Sequence, residues 1–319
     1  MPRPRSADPV ASSLRRVDTE REHVSVEQSP LVEIGLPIAL FIIMVGIGLT
    51  LTFADFRREA RQPRSLTLGS VAQILLMPAL AFGIAALLRL SPELTLGLVI
   101  LAAAPGGTTS NLVALMSRAN VALSIVLTVV ASVVTIVTLP LAANLALAWR
   151  AEDAEVVVRV PLLNSIGLLV VIVLIPVLLG MAIRARRPEA AVKFEPKVSA
   201  FGAVVLVALI VGIAIDIRED LPTLIAQSGP AALLLNLGGI GMGFALGLLG
   251  LTPKDQRTCA SEMGIKNGTL AILIAVTVVG SEVVAAPAAV YSVLMYITAF
   301  GLVIYGRNRA LLEVDGKTT

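Results

Sequence analysis

The chain has 319 residues, 56% of them hydrophobic and only 15% charged, with a net charge of +3 and a mean hydropathy of +0.90. Soluble domains carry about a quarter charged residues, so this composition excludes an ordinary soluble domain, and most basic residues lie in short loops between apolar runs rather than in a nucleic-acid-binding patch. The single Cys259 excludes an intrachain disulfide, and the single His23, in a polar stretch, excludes histidine metal sites and histidine general-base catalysis.

Residues 1–30 are polar, hold Arg3, Arg5, Arg15, Arg16 and Arg21, show no signal peptide, and read as a disordered tail. A bilayer core takes about 20 apolar residues per helix. Nine such segments follow, at 31–54, 66–90, 94–117, 120–148, 157–184, 197–218, 222–250, 256–279 and 281–305. The fold class is therefore an all-α polytopic membrane protein with nine transmembrane helices, and 306–319 form a short C-terminal tail.

The third and eighth segments are interrupted. Pro105-Gly106-Gly107 cuts the third, and Thr108-Thr109-Ser110-Asn111 follows at once. Proline lacks the backbone N–H, and glycine costs backbone entropy, so the helix must stop there. The eighth carries Glu262 and Lys266 around Gly264, with Asn267-Gly268 behind them. Irregular backbone at membrane depth is tolerated where it is buried in protein or lines a cavity. Both segments are thus retained as broken helices. Two interrupted spans in corresponding positions point to an inverted repeat with a site at the midplane. Spans 1–4 would match spans 6–9, with span 5 as connector.

Nine spans place the termini on opposite sides. The loops after spans 1, 3, 5 and 7, with the C-terminus, hold 15 basic residues against nine on the other side. Basic residues favour the cytoplasmic face. This places the N-terminus outside and the C-terminus in the cytoplasm, in a cell (inner or plasma) membrane.

A helix break leaves N–H groups on one half-helix and carbonyls on the other, and these ends attract anions and cations respectively. Thr108, Ser110 and Asn111 add oxygens beside the first break. The same run also fits a small-residue packing seam between helices. Ser124 and Thr128, at i and i+4, share a helical face. Glu262 is the strongest signal, because an intramembrane carboxylate is costly and by default functional. Its partner is either a bound alkali cation, since oxygen-rich sites suit hard cations, or Lys266 in a structural ion pair. Gln73 is a further polar group at membrane depth. Ser110 or Ser261 with Lys266 would be the elements of an intramembrane Ser–Lys hydrolase. The non-enzymatic reading is preferred, and no cofactor or required protein partner is evident.

The runs Ala104-Pro105-Gly106-Gly107-Thr108-Thr109-Ser110-Asn111 and Arg118-Ala119-Asn120-Val121-Ala122-Leu123-Ser124 resemble the first crossover region of the bile acid:sodium symporter family. Glu262-Met263-Gly264-Ile265-Lys266-Asn267-Gly268 is similar to its second crossover motif. Gln73-Ile74-Leu75-Leu76-Met77-Pro78 and Gly46-Ile47-Gly48-Leu49-Thr50 extend the likeness over roughly 31–305. The resemblance implies a nine-helix variant lacking the first helix of ten-helix bacterial members. It implies a panel (31–54, 157–184, 197–218) against which a core (66–148, 222–305) rocks. It implies one sodium site at Ser110, Asn111, Ser124, Thr128 and Glu262. A second site would use Gln73, Glu262 and the backbone of Met263 and Ile265, but its glutamine position is Lys266 here. Thr108 and Asn267 match substrate-contacting positions, while a His-Asn pair used for bile salts is replaced by Met295 and Tyr296. The expectation is sodium-coupled symport of a small organic anion, a carboxylate, across the lipid bilayer by alternating access. Proton-coupled or uncoupled transport using Lys266 in place of a second sodium is the alternative.

Overall fold

The computed structural model describes residues 35–314 apart from 51, 60, 62, 151–160, 217 and 220. The tail predicted at 1–30 lies outside the described residues, as do 315–319 and most of the loop between predicted spans 4 and 5. The helices are α1 (Leu36–Thr50), α2 (Phe53–Glu59), α3 (Pro63–Leu88), α4 (Pro92–Ala103), α5 (Thr108–Met116) and α6 (Val121–Trp149). They continue with α7 (Leu162–Arg186), α8 (Pro188–Asp216), α9 (Leu221–Ala245), α10 (Pro253–Gly264), α11 (Gly268–Val279) and α12 (Glu282–Val314). Six of them are long and apolar enough to cross a membrane; Pro37–Thr50, Pro92–Ala103 and Gly268–Val279 are shorter apolar helices. The pairs α4/α5 and α10/α11 are each one span in two halves. With α1 they complete nine spans among the described residues.

Local chemistry sets the starts of the short halves. Ser91 accepts from the Leu94 amide ahead of α4, and Thr252 from the Asp255 amide ahead of α10; each is followed by proline at the first helical position. Asn120 and Asn267 cap α6 and α11 in the same way, on Leu123 and Leu270. Ala104 turns extended before Pro105, as a pre-proline residue must, and this ends α4.

Two predicted boundaries move. α8 begins at Pro188 rather than 197, because Glu189, Lys193, Glu195 and Lys197 extend the helix into the polar interface. α12 continues to Val314, so the predicted C-terminal tail starts as helix. Nothing after Gly306 in that stretch breaks a helix, and Arg309 stacks over the Tyr305 ring at 5.8 Å.

α1 packs on α7 and α8, whereas α9 packs on α10, α12 and α3, and α4 on α6 and α12. The α1–α7 crossing is the closest kind. A Cβ at Gly48 would meet the Val177 carbonyl, and one at Gly180 would meet the Val45 carbonyl, so glycine is required on both helices. Leu75, Leu87, Val204, Val207, Val211, Ile215, Ile297 and Phe300 project outward. In a bilayer such apolar side chains meet lipid. The buried polar residues concentrate instead around the two breaks.

Candidate functional site

The two breaks lie against each other. Gly106 and Lys266 form an antiparallel bridge, and the Asn267 amide donates to the Pro105 carbonyl at 2.9 Å. This short backbone contact fixes the two broken spans as a crossing pair. It also gathers four helix ends at one place: the carbonyl ends of α4 and α10, and the N–H ends of α5 and α11.

On one side of the crossing, Glu262 is completely buried. Its Oε1 accepts from Ser110 Oγ at 2.6 Å and from Ser124 Oγ at 2.6 Å, and its Oε2 accepts from Thr128 Oγ1 at 2.8 Å. Ser124 and Thr128 also lie within hydrogen-bond reach of Asn111 Oδ1, at 2.8 and 3.3 Å. All five residues singled out in the sequence thus meet, from α5, α6 and α10. Gly106 makes this possible, because a Cβ there would strike the Glu262 carboxylate and Ser110 Oγ. The set carries one carboxylate and otherwise neutral oxygens, and no group of three His, Cys, Asp or Glu occurs among the described residues. One negative charge with hydroxyl and amide oxygens suits a monovalent hard cation better than a divalent one.

The residues of the predicted second site are placed differently. Lys266 is 2% exposed, and its Nζ donates to the Ala104 carbonyl at 3.0 Å, at the carbonyl end of α4. Among the described residues it forms no ion pair with Glu262, so the alternative of a direct structural pair is corrected. The i,i+4 spacing puts two side chains on one face only in a continuous helix. Here α10 ends at Gly264, and Ile265 is extended. Gln73 sits in a widened turn of α3, 2% exposed, with neither amide atom hydrogen-bonded. Met263 and Ile265 are fully buried; the Tyr291 hydroxyl donates to the Gly264 carbonyl at 2.9 Å and reaches that of Met263 at 3.4 Å. The Asn236 amide also donates to the Gly264 carbonyl, at 2.8 Å. The sequence reading missed Asn236 and Tyr291; the only signal was one amide and one phenol inside apolar helices.

The Ser–Lys pair of a hydrolase is not assembled. Ser110 donates to Glu262, Ser261 Oγ donates to the Arg257 carbonyl at 2.9 Å, and Lys266 is engaged with Ala104.

On the N–H side of the crossing lies a small cavity of about 40 Å³, lined among others by Gly107, Thr108, Thr109, Lys266, Asn267 and Gly268. The first residues of α5 and α11 both border it. Asn267 caps α11 through Oδ1, while its Nδ2 is buried without a hydrogen-bond partner. Thr108 and Asn267, the predicted substrate residues, therefore share one cavity with two helix N-termini and an ammonium-bearing residue. Those are the elements of an anion site. A larger vestibule of about 570 Å³ shares Thr108, Thr109, Ser199, Ala203 and Tyr296 with it. Met295 and Tyr296 also line the small cavity.

At the ends of α2, α6 and α10 a second polar cluster escaped the sequence reading. Asn120 Nδ2 donates to Asp255 Oδ1 at 3.0 Å and lies 3.5 Å from Glu59 Oε2, while Ser65 Oγ donates to Asp255 Oδ2 at 2.9 Å. Burial raises the Glu59 carboxyl above its ordinary range, the Asp255 charge adds to this, and Arg58 opposes it.

The family model described as Sodium Bile acid symporter family matches residues 37–221. The chain is 33% identical over 261 residues to "Probable sodium/metabolite cotransporter BASS1, chloroplastic" of Arabidopsis thaliana, covering 80% of this chain and 62% of that protein. It is 32% identical over 266 residues to "Uncharacterized sodium-dependent transporter YocS" of Bacillus subtilis (strain 168), covering 81% of this chain and 78% of that protein. It is 28% identical over 242 residues to "Hepatic sodium/bile acid cotransporter" of Rattus norvegicus, covering 73% and 64%. The chain thus spans less than two thirds of the length of the plant relative.

Proposed function

Because this chain belongs to the sodium bile acid symporter family, we propose that it is a secondary active transporter that couples sodium to the movement of a small organic carboxylate by alternating access. The observation that carries this reading is the crossing itself. It holds a carboxylate ringed by hydroxyls beside one pair of helix ends, and an anion-favouring cavity beside the other pair.

In this reading Ser110, Asn111, Ser124, Thr128 and Glu262 bind one sodium ion. The three hydroxyls now donate to Glu262; each can rotate and turn a lone pair to a cation. Thr108, Asn267 and the N-termini of α5 and α11 receive the substrate carboxylate. The α1, α7 and α8 helices act as the panel, and the rest as the moving core. Lys266 supplies one fixed positive charge at the carbonyl end of α4, and Gln73, Met263 and Ile265 do not hold a second sodium. A proton-coupled cycle through Lys266 is the second reading, favoured by its complete enclosure. The membrane is the cell membrane, with the N-terminus outside and the C-terminus in the cytoplasm.

The test is a thermal-stability screen of small monocarboxylates with and without Na⁺, followed by uptake into proteoliposomes. A ligand that binds the native state alone raises its stability by mass action. Stabilisation by a carboxylate only when Na⁺ is present, with uptake driven by an inward Na⁺ gradient, is the expected result. Uptake of the stabilising carboxylate at the same rate without a Na⁺ gradient would overturn the coupling.

A further inference from the structure

The small cavity and the vestibule share Thr108, Thr109, Ser199, Ala203 and Tyr296, and each has one charged residue, of opposite sign. In the small cavity Lys266 is the one charged residue of the lining. In the vestibule the one charged residue is Glu195, on α8; the other walls include Leu112, Leu115, Val121 and Ile125. Glu195 is half-buried, and its Oε1 accepts from Ser199 Oγ at 2.7 Å, one helical turn along. Ser199 borders both cavities. That hydroxyl holds the carboxylate in one orientation and satisfies one of its oxygens. Among the described residues no cation stands within ion-pair distance of Glu195. The vestibule therefore presents a fixed acceptor at its wall on α8.

Resting on the transport reading above, we infer that Glu195, oriented by Ser199, selects the far end of the substrate. It accepts a hydroxyl or ammonium group and rejects a second carboxylate. The cargo is then a monocarboxylate bearing a hydrogen-bond donor at the end remote from its carboxyl group. The carboxylate goes to the small cavity, the carbon chain lies along the apolar wall, and the donor meets Glu195. A dicarboxylate in the same pose places like charges together in a partly desolvated cavity, which disfavours binding. A plain fatty acid offers Glu195 no donor beyond Ser199.

The experiment uses the full chain in Na⁺ and measures the affinity of butyrate, γ-hydroxybutyrate, γ-aminobutyrate and succinate, with the matching six-carbon set of hexanoate, its ω-hydroxy and ω-amino derivatives, and adipate. A hydrogen bond to a charged group is worth enough to give about a tenfold preference. In at least one length series the hydroxy or amino acid is expected to bind about tenfold tighter than the plain acid, with no binding of the dicarboxylate. Glu195→Gln is expected to erase that order and admit the dicarboxylate. Ser199→Ala keeps the charge and is expected to keep the exclusion while weakening the donor preference. Equal affinities across both series, or an order that Glu195→Gln leaves unchanged, would overturn the inference while Na⁺-dependent carboxylate binding still upheld the transport reading. If no member of either series binds with or without Na⁺, both fall together.

Discussion

Replacing Glu262 by glutamine tests the proposed cation site with the least disturbance to the fold. The variant keeps the side-chain volume. Its amide oxygen can still accept from Ser110 and Ser124, which now approach Oε1 at 2.6 Å each. The Thr128 hydroxyl, 2.8 Å from Oε2, can rotate to accept from the amide nitrogen. What disappears is the one full negative charge of the set. A unit charge about 4 Å from a cation contributes about 4 kcal/mol at an effective dielectric of about 20. At about 1.4 kcal/mol per tenfold this is a factor on the order of a thousand, and reorganised hydroxyls and water offset part of it. The expected loss in sodium affinity is therefore about a hundredfold to a thousandfold. The assay is the denaturation midpoint as Na⁺ replaces choline. At a concentration about 100 times the wild-type dissociation constant, sodium adds about 2.7 kcal/mol of stability. A variant weakened about a hundredfold would gain only about 0.4 kcal/mol there, by the same relation. A Glu262→Gln protein that folds, yet keeps the full sodium-dependent gain, would refute the assignment of this carboxylate as the cation ligand.

Lys266→Gln should turn a hyperbolic sodium dependence, with a Hill coefficient near ~1, into a steeper one by making room for a second ion; a sigmoidal response in the unmodified protein that the substitution leaves unchanged would remove the fixed-charge role. One sodium carried with one monocarboxylate predicts uptake that ignores an imposed membrane potential, and a rate that rises with an inside-negative potential would contradict that stoichiometry. Cysteine in place of Arg89, in the exposed turn between α3 and α4, should react with an impermeant reagent from outside the cell; labelling from the cytoplasm alone would invert the proposed topology. The native state holds a proton on Glu59 more tightly than the unfolded chain does, so this group's contribution to stability is full below the ordinary value of 4.5 and falls as pH rises through the raised one. Glu59→Gln should therefore exceed wild type in denaturation midpoint at neutral pH, with the gap narrowing as pH falls through the raised value and closing below the ordinary value of 4.5; a gap constant with pH would show that burial does not act through this proton.

The spans were legible because bilayer solvation imposes a length of apolar sequence that soluble folding does not. The breaks were legible because Pro105, Gly106 and Gly107 cannot continue a helix. Glu262 stood out because a carboxylate among apolar residues has to be explained. The partners of Lys266 were not legible. Counting four residues from Glu262 assumes that helical geometry continues, whereas Ile265 is extended and the chain swings the ammonium to Ala104 of the other broken span. Asn236 and Tyr291 were invisible for a related reason. Each looks like a lone polar group in an apolar helix, and its target, the Gly264 carbonyl, exists as an acceptor only because α10 stops there. The Asn120–Asp255–Ser65 cluster joins residues more than a hundred positions apart, a separation that no local pattern reveals.

Charge at the crossing supplies a physical reason for coupling under the proposed assignment. With Glu262 ionised and Lys266 protonated, the unloaded crossing sums to zero. Adding sodium alone leaves one positive charge, and adding a carboxylate alone leaves one negative charge. Adding both restores zero. Moving a net charge through a low-dielectric environment carries a cost that neutral combinations avoid. The unloaded and fully loaded forms are therefore the two that rearrange readily, and the half-loaded forms are held back. The antiparallel bridge between Gly106 and Lys266 joins the two broken spans at this point, so the proposed cation and anion sites share one backbone crossing. A second sodium in place of the Lys266 amine would restore the same field only when bound. Under the proposed assignment a protonated Lys266 holds that positive charge covalently, and one sodium then suffices to recruit one anion.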